Sequence, residues 1–155
     1  MGIEAQKDSQ KLPIRLVIPV INVSARIQQV GVTSKGEMDV PSVVTDAGWF
    51  RFGSRPGEVG SAVIAGHLDG QNGEAGVFSN LNKLKKGDKI FIKDDKDNSI
   101  TFVVRESRIY SVGYAEEVFS DNSGRHLNLV TCDGVWDEGK KSYSKRLVVF
   151  TNLVP

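Results

Sequence analysis

The chain has 155 residues, 39% of them hydrophobic and 25% charged. This balance excludes a disordered tail and suits one domain with its own core. Lys and Arg number 20 against 19 Asp and Glu, and the net charge of +1 speaks against a dedicated nucleic-acid binder. One cysteine excludes an intrachain disulfide and a multi-cysteine zinc site.

Residues 1–11 read as a polar lead-in without the apolar centre of a signal peptide, and residues 12–155 as the domain. No apolar run approaches the roughly 20 residues needed to span a bilayer. The first strand is expected over Ile14–Ile18, closed by Pro19, and the second over Val23–Val32, rich in β-branched residues. Ser34-Lys35-Gly36 turns the chain, and Glu37–Val40 reads as a short strand before Pro41. Residues 41–60 hold Pro41, Gly48, Gly53, Pro56, Gly57 and Gly60, so they read as irregular, with one helical turn over Asp46–Phe50.

Ser61–Ala65 is an apolar run expected as a buried strand that ends at Gly66-His67. A glycine-rich loop covers residues 70–77, and Val77–Leu84 reads as a short helix that turns Phe78, Leu81 and Leu84 inward. A hairpin signal follows: Lys89–Lys93 alternates, Asp94–Asn98 turns, and Ile100–Val104 returns and continues through Ile109-Tyr110. Ala115–Phe119 suggests a helical turn. Leu127–Thr131 is a strand that delivers Cys132, Asp133–Lys145 a polar loop, and Arg146–Phe150 the last β-run. Many short strands with almost no helix predict an all-β, closed or nearly closed barrel.

Chemistry is sought first at the lone cysteine. Free cysteine is commonly a small buried hydrophobe, yet Cys132 ends its strand and Asp133-Gly134 turns the chain at once. The chain holds two histidines. His67 also ends an apolar strand, either as a polar cap or as a general acid and base. His126 starts the Cys132 strand, which puts it about 20 Å from the thiol, and reads as a solvated strand-entry residue. Arg146 opens the last β-run. It is either a solvated strand end or a fixed planar cation that holds a developing oxyanion.

The ordered segments Ala65-Gly66-His67, Leu129-Val130-Thr131-Cys132 and Lys145-Arg146-Leu147-Val148-Val149 resemble the His, Cys and Arg signatures of sortases. Ile18-Pro19 with Ile21, Gly48-Trp49 before Pro56-Gly57, Phe78 with Leu81, and Lys86-Gly87-Asp88 extend the resemblance over roughly residues 12–155. Asp69 after His67-Leu68, and Asp133-Gly134 after the cysteine, look closer to the class D to F groups than to class A.

The resemblance implies an eight-stranded β-barrel transpeptidase that cuts a C-terminal sorting signal similar to Leu-Pro-X-Thr-Gly. It implies a thioester on Cys132, His67 as acid and base, and Arg146 as oxyanion or substrate binder. Thr131 would add a backbone or hydroxyl contact. Residues 105–122 would form the loop that walls the signal groove, with apolar surface from Val112, Tyr114, Ala115, Val118 and Phe119. The implied partners are surface proteins that carry the signal and an amine acceptor, either cell-wall precursor or pilin lysine. The implied place is the extracytoplasmic face of the membrane of a Gram-positive bacterium, with any anchor lying outside this chain.

No cofactor is expected. Glu37, Asp94, Asp95 and Asp97 could be weighed for calcium as in some class A members, but they read as solvated turn carboxylates. The competing reading is a non-enzymatic extracellular β-barrel binding module with an inert, buried Cys132.

Overall fold

A computed structural model describes residues 11–70, 72–111, 117–132, 135–137 and 142–155. Nine strands form one sheet: β1 Pro13–Ile18, β2 Val23–Val30, β3 Ala47–Phe50, β4 Gly60–Gly66, β5 Lys89–Asp94, β6 Ser99–Ser111, β7 Arg125–Thr131, β8 Val135–Asp137 and β9 Ser142–Leu153. The order is β6-β5-β1-β2-β3-β4-β7-β9-β8, and β6 also pairs with β9. That pairing closes eight strands into a barrel and leaves β8 as a short flap on β9, so the expected closed eight-stranded barrel is what forms. Among the described residues the one α-helix, α1, is Glu117–Ser120.

Alternation along the strands fills the barrel. Leu16 and Ile18 of β1, Val23, Ala25 and Ile27 of β2, Ala62 and Ile64 of β4, and Leu127 and Leu129 of β7 share the interior cluster. β4 is buried along its whole length because its other face is covered too. Val63 joins Val118, Val130, Val148 and Phe150 in a second cluster. A strand packed on both faces reads as a continuous apolar run, which is why Ser61–Ala65 stood out in the sequence.

Several expectations are corrected. Asp46–Phe50 is no helical turn. Ala47–Phe50 is β3, which runs parallel to β2 with Gly48 opposite Gln28. Its glycine signals intimate packing: a Cβ on Gly48 would stand 3.0 Å from Val30 Cγ1 and 3.1 Å from Pro41 Cδ. Glu37–Val40 is not a strand but one side of a small hairpin. That hairpin is held by the Val32–Met38 bridge and by Thr33 N–H on the Glu37 carbonyl at 2.7 Å.

Val77–Leu84 contains only a 3-10 turn, Leu81–Lys83, although Phe78, Leu81 and Leu84 are buried as expected. The expected polar loop after Cys132 contains β8, and β9 begins at Ser142, so Arg146 lies within a strand rather than opening one. β6 runs on through Ile109-Tyr110 to Ser111, as the hairpin reading expected, so residues 105–111 are not part of the loop that the resemblance implied over 105–122. No helix among the described residues is long and apolar enough to cross a membrane.

Candidate active site

Three neighbouring strands carry the three candidate residues. β7 lies between β4 and β9. β4 runs parallel to β7 with Gly66 opposite Thr131, and β9 runs antiparallel to β7 with Val148 opposite Val130. One step past Gly66 and Thr131 stand His67 and Cys132, and the same register carried on sets Arg146 beside Cys132. Adjacent strands are about 4.8 Å apart, so residues 65 positions apart in sequence become neighbours at one barrel end.

Backbone contacts fix the arrangement. Cys132 N–H donates to the Gly66 carbonyl at 2.9 Å, extending the parallel ladder past both strand ends. Arg146 Nη1 donates to the Cys132 carbonyl. Leu147 N–H donates to Thr131 Oγ1 at 3.0 Å. The chain after the histidine folds back tightly: Phe78 N–H donates to the His67 carbonyl at 3.0 Å. Gly66 makes this possible, because a Cβ there would fall 2.5 Å from Val77 Cγ1 and 2.6 Å from Phe78 Cδ2.

The His67 ring is oriented by the main chain. Its Nε2 lies 2.8 Å from the Pro41 carbonyl oxygen. A carbonyl only accepts, so Nε2 carries a proton there.

A cavity of about 530 Å3 opens against Cys132 and Arg146, a volume suited to a small ligand or a short peptide segment. Phe50, Ala65, Phe119 and Val130 give it apolar surface, and the hairpin from Val32 to Val40 contributes Thr33, Glu37, Met38 and Asp39. Cys132 is half-buried, so its thiol is not the sealed core group of the binding-module reading. His67 is half-buried as well but does not line this cavity.

The remaining candidates separate. Thr131 is buried, and its hydroxyl is taken up by the Leu147 main chain, so the expected hydroxyl contact to a ligand is not presented. Val118 is fully buried in the second cluster and is a packing residue rather than groove surface. Its neighbour Phe119 does line the cavity. Val112, Tyr114 and Ala115 lie outside the described residues.

His126 is not solvated. Its side chain is 12% exposed, its Nδ1 lies 2.8 Å from Asn152 Oδ1, and its Nε2 lies 3.7 Å from Asp121 Oδ2. Asp121 itself is held below the ordinary carboxylate range by hydrogen bonds from the Ser123 hydroxyl and backbone N–H. This group sits at the start of β7, at the other end of the barrel from Cys132.

The hairpin wall was missed in the sequence, where Ser34-Lys35-Gly36 signalled the turn but nothing signalled that it faces the cysteine. Among the described residues no three His, Cys, Asp or Glu side chains gather as a metal would require. Of the acidic residues weighed for calcium, Asp94 is buried and caps its own turn. Its Oδ1 accepts Lys96 N–H at 2.8 Å and Asn98 N–H at 3.0 Å. Glu37, Asp95 and Asp97 are exposed.

A family model for the sortase domain matches residues 16–154. Sortase A of Bacillus anthracis is 34% identical over 95 residues, which are 61% of this chain and 41% of that protein's length. A Clostridium perfringens sortase D5 transpeptidase has a similar structure, with a TM-score of 0.71 at 22% identity over 100% of this chain and 89% of that one. Sortase C-1 from Actinomyces oris gives a TM-score of 0.70 at 25% identity over 99% of this chain and 80% of that one.

Proposed function

The chain belongs to the sortase family, and from that premise we propose that it is a cysteine transpeptidase which acts at the bacterial cell surface on a Leu-Pro-X-Thr-Gly-like sorting signal. The observation that carries the reading is the β4-β7-β9 order, which brings His67, Cys132 and Arg146 to one end of the barrel, with Cys132 and Arg146 lining a cavity there.

In the reaction proposed, the Cys132 thiolate attacks the threonine carbonyl carbon of the signal. The oxygen becomes an oxyanion, and Arg146 offers it N–H donors from a rigid, permanently charged plane. As the threonine–glycine C–N bond breaks, His67 passes the Nδ1 proton to the leaving amine. The thioester on Cys132 then meets an acceptor amine, from a cell-wall precursor or a pilin lysine. The amine nitrogen bonds to the carbonyl carbon, Cys132 leaves as thiolate, and His67 takes up the proton that the amine loses. Phe50, Phe119 and Val130 supply the apolar surface suited to the leucine and proline.

The test is a panel of fluorogenic peptides varied around Leu-Pro-X-Thr-Gly, with product masses read with and without an added amine. Cleavage between threonine and glycine, with an amide product when amine is present, supports the reading. A panel left intact contradicts it.

A further inference from the structure

The main-chain acceptor of His67 does not stand alone. Pro41 C=O and Ser42 N–H belong to one peptide unit. On its carbonyl side that unit accepts from His67 Nε2 at 2.8 Å, and on its N–H side it donates to Gln28 Oε1 at 3.2 Å. The Gln28 amide in turn donates from Nε2 to Asp46 Oδ2 at 2.9 Å. The same carboxylate oxygen accepts Arg26 Nε at 3.2 Å and Nη2 at 3.0 Å. An unbroken run of donors and acceptors therefore leads from a buried carboxylate, through a side-chain amide and a peptide group, to the ring nitrogen of the histidine.

The run is built rather than incidental. Gln28 is half-buried on the outer face of β2, in the alternation that turns Ala25 and Ile27 inward. Pro41 is buried, and its ring lies against Gly48, where even a Cβ would be 3.1 Å from Cδ. Asp46 is buried. Each dipole in such a chain polarises the next. The Asp46 charge makes Gln28 Nε2 a better donor and Oε1 a stronger acceptor. That strengthens the Ser42 N–H bond and makes the Pro41 oxygen more negative where Nε2–H points.

We propose that Asp46, Gln28 and the Pro41–Ser42 peptide form a positioning relay that holds His67 in the Nε2–H tautomer. This is the work a directly bonded carboxylate does for the histidine of a catalytic triad. The inference rests on the transpeptidase reading for its catalytic consequence but not for the tautomer itself. Residues 28, 41 and 46 touch no substrate in this scheme, and they act through His67.

The experiment uses Gln28→Met, which keeps side-chain length and removes the amide's hydrogen bonds to Asp46, to Ser42 N–H and to the Ser42 hydroxyl. Asp46→Asn serves as the second variant, keeping shape and removing charge. With only two histidines in the chain, long-range proton–nitrogen NMR of the resting protein reads the His67 tautomer without any substrate.

The parent is expected to show protonated Nε2 and bare Nδ1 in neutral His67. In Gln28→Met the signals should move toward a tautomer mixture, with kcat down about tenfold at unchanged KM, the scale of one lost hydrogen bond. Asp46→Asn should move both readouts the same way by less. A folded Gln28→Met with parental spectra and kcat overturns the relay. If Gln28→Met does not fold, parental spectra in Asp46→Asn overturn it. A parent that cleaves no peptide contradicts the transpeptidase reading instead, and the spectra still decide the relay.

Discussion

Arg146 reaches across from β9 and donates through Nη1 to the backbone carbonyl of Cys132. The bond ties the cation to the main chain of Cys132, so the two residues are held together more closely than independent surface groups would be. The Arg146 side chain makes no other hydrogen bond among the described residues, and it lines the cavity beside Cys132.

Arg146→Lys therefore tests geometry rather than charge. Lysine keeps the positive charge but cannot hold the Cys132 carbonyl and a second acceptor from one plane. We expect an intact fold and a loss of about a hundredfold in kcat, the usual effect of removing one oxyanion donor. Lys145→Gln, at the exposed neighbouring position, is the control. Steady-state kinetics with a cleavable peptide decide the matter, and parental turnover in Arg146→Lys rejects the assignment.

Gly66→Ala is expected to be costly at a position that touches no substrate. The new methyl would meet Val77 and Phe78 at 2.5 and 2.6 Å, and both side chains are buried. Overpacking of this kind costs about 1–3 kcal/mol. Chemical denaturation should show that loss, and kcat should fall with it because Gly66 carries both His67 and the acceptor for Cys132 N–H.

Val118 and Phe119 are neighbours with opposite roles. Val118→Ala empties part of the second cluster and should cost about 2 kcal/mol of stability with little change in peptide KM. Phe119→Ala should raise peptide KM several-fold with a smaller loss of stability. Melting curves and KM measured on the same two variants separate them, and equal behaviour in both tests rejects the division.

Asp121 should make a contribution to stability that depends on acid. Its folded pKa is lowered, chiefly by the Ser123 hydrogen bonds. The contribution is therefore complete above the ordinary carboxylate value of about 4 and is lost as pH falls from there through the folded value. Denaturation midpoints at neutral pH and near pH 3 should differ more in the parent than in Asp121→Asn. A parental pH difference retained in Asp121→Asn contradicts this.

The barrel was legible in the sequence because its strands alternate or, for Ser61–Ala65, run apolar without a break. The three candidate residues were legible because two of them end such strands. β3 was not legible. Gly48 breaks a propensity pattern, but it is there because β2 and Pro41 press on it, a tertiary demand that no local rule encodes. The relay from Asp46 to His67 was hidden for the same reason: Gln28, Pro41 and Asp46 are ordinary strand and loop residues until β2 and β3 pair. Val118 and Phe119 were equally apolar in sequence, and only the packing of α1 on β4 tells the fully buried one from the half-buried one that lines the cavity.

The most direct measurement of the central claim is intact mass during turnover of a sorting-signal peptide. The parent is expected to carry the acyl half of the peptide on Cys132, in a form that hydroxylamine releases. Cys132→Ala should fold, carry no adduct and cleave nothing, because the chain holds no other thiol. Peptide cleavage that survives in Cys132→Ala would contradict the account.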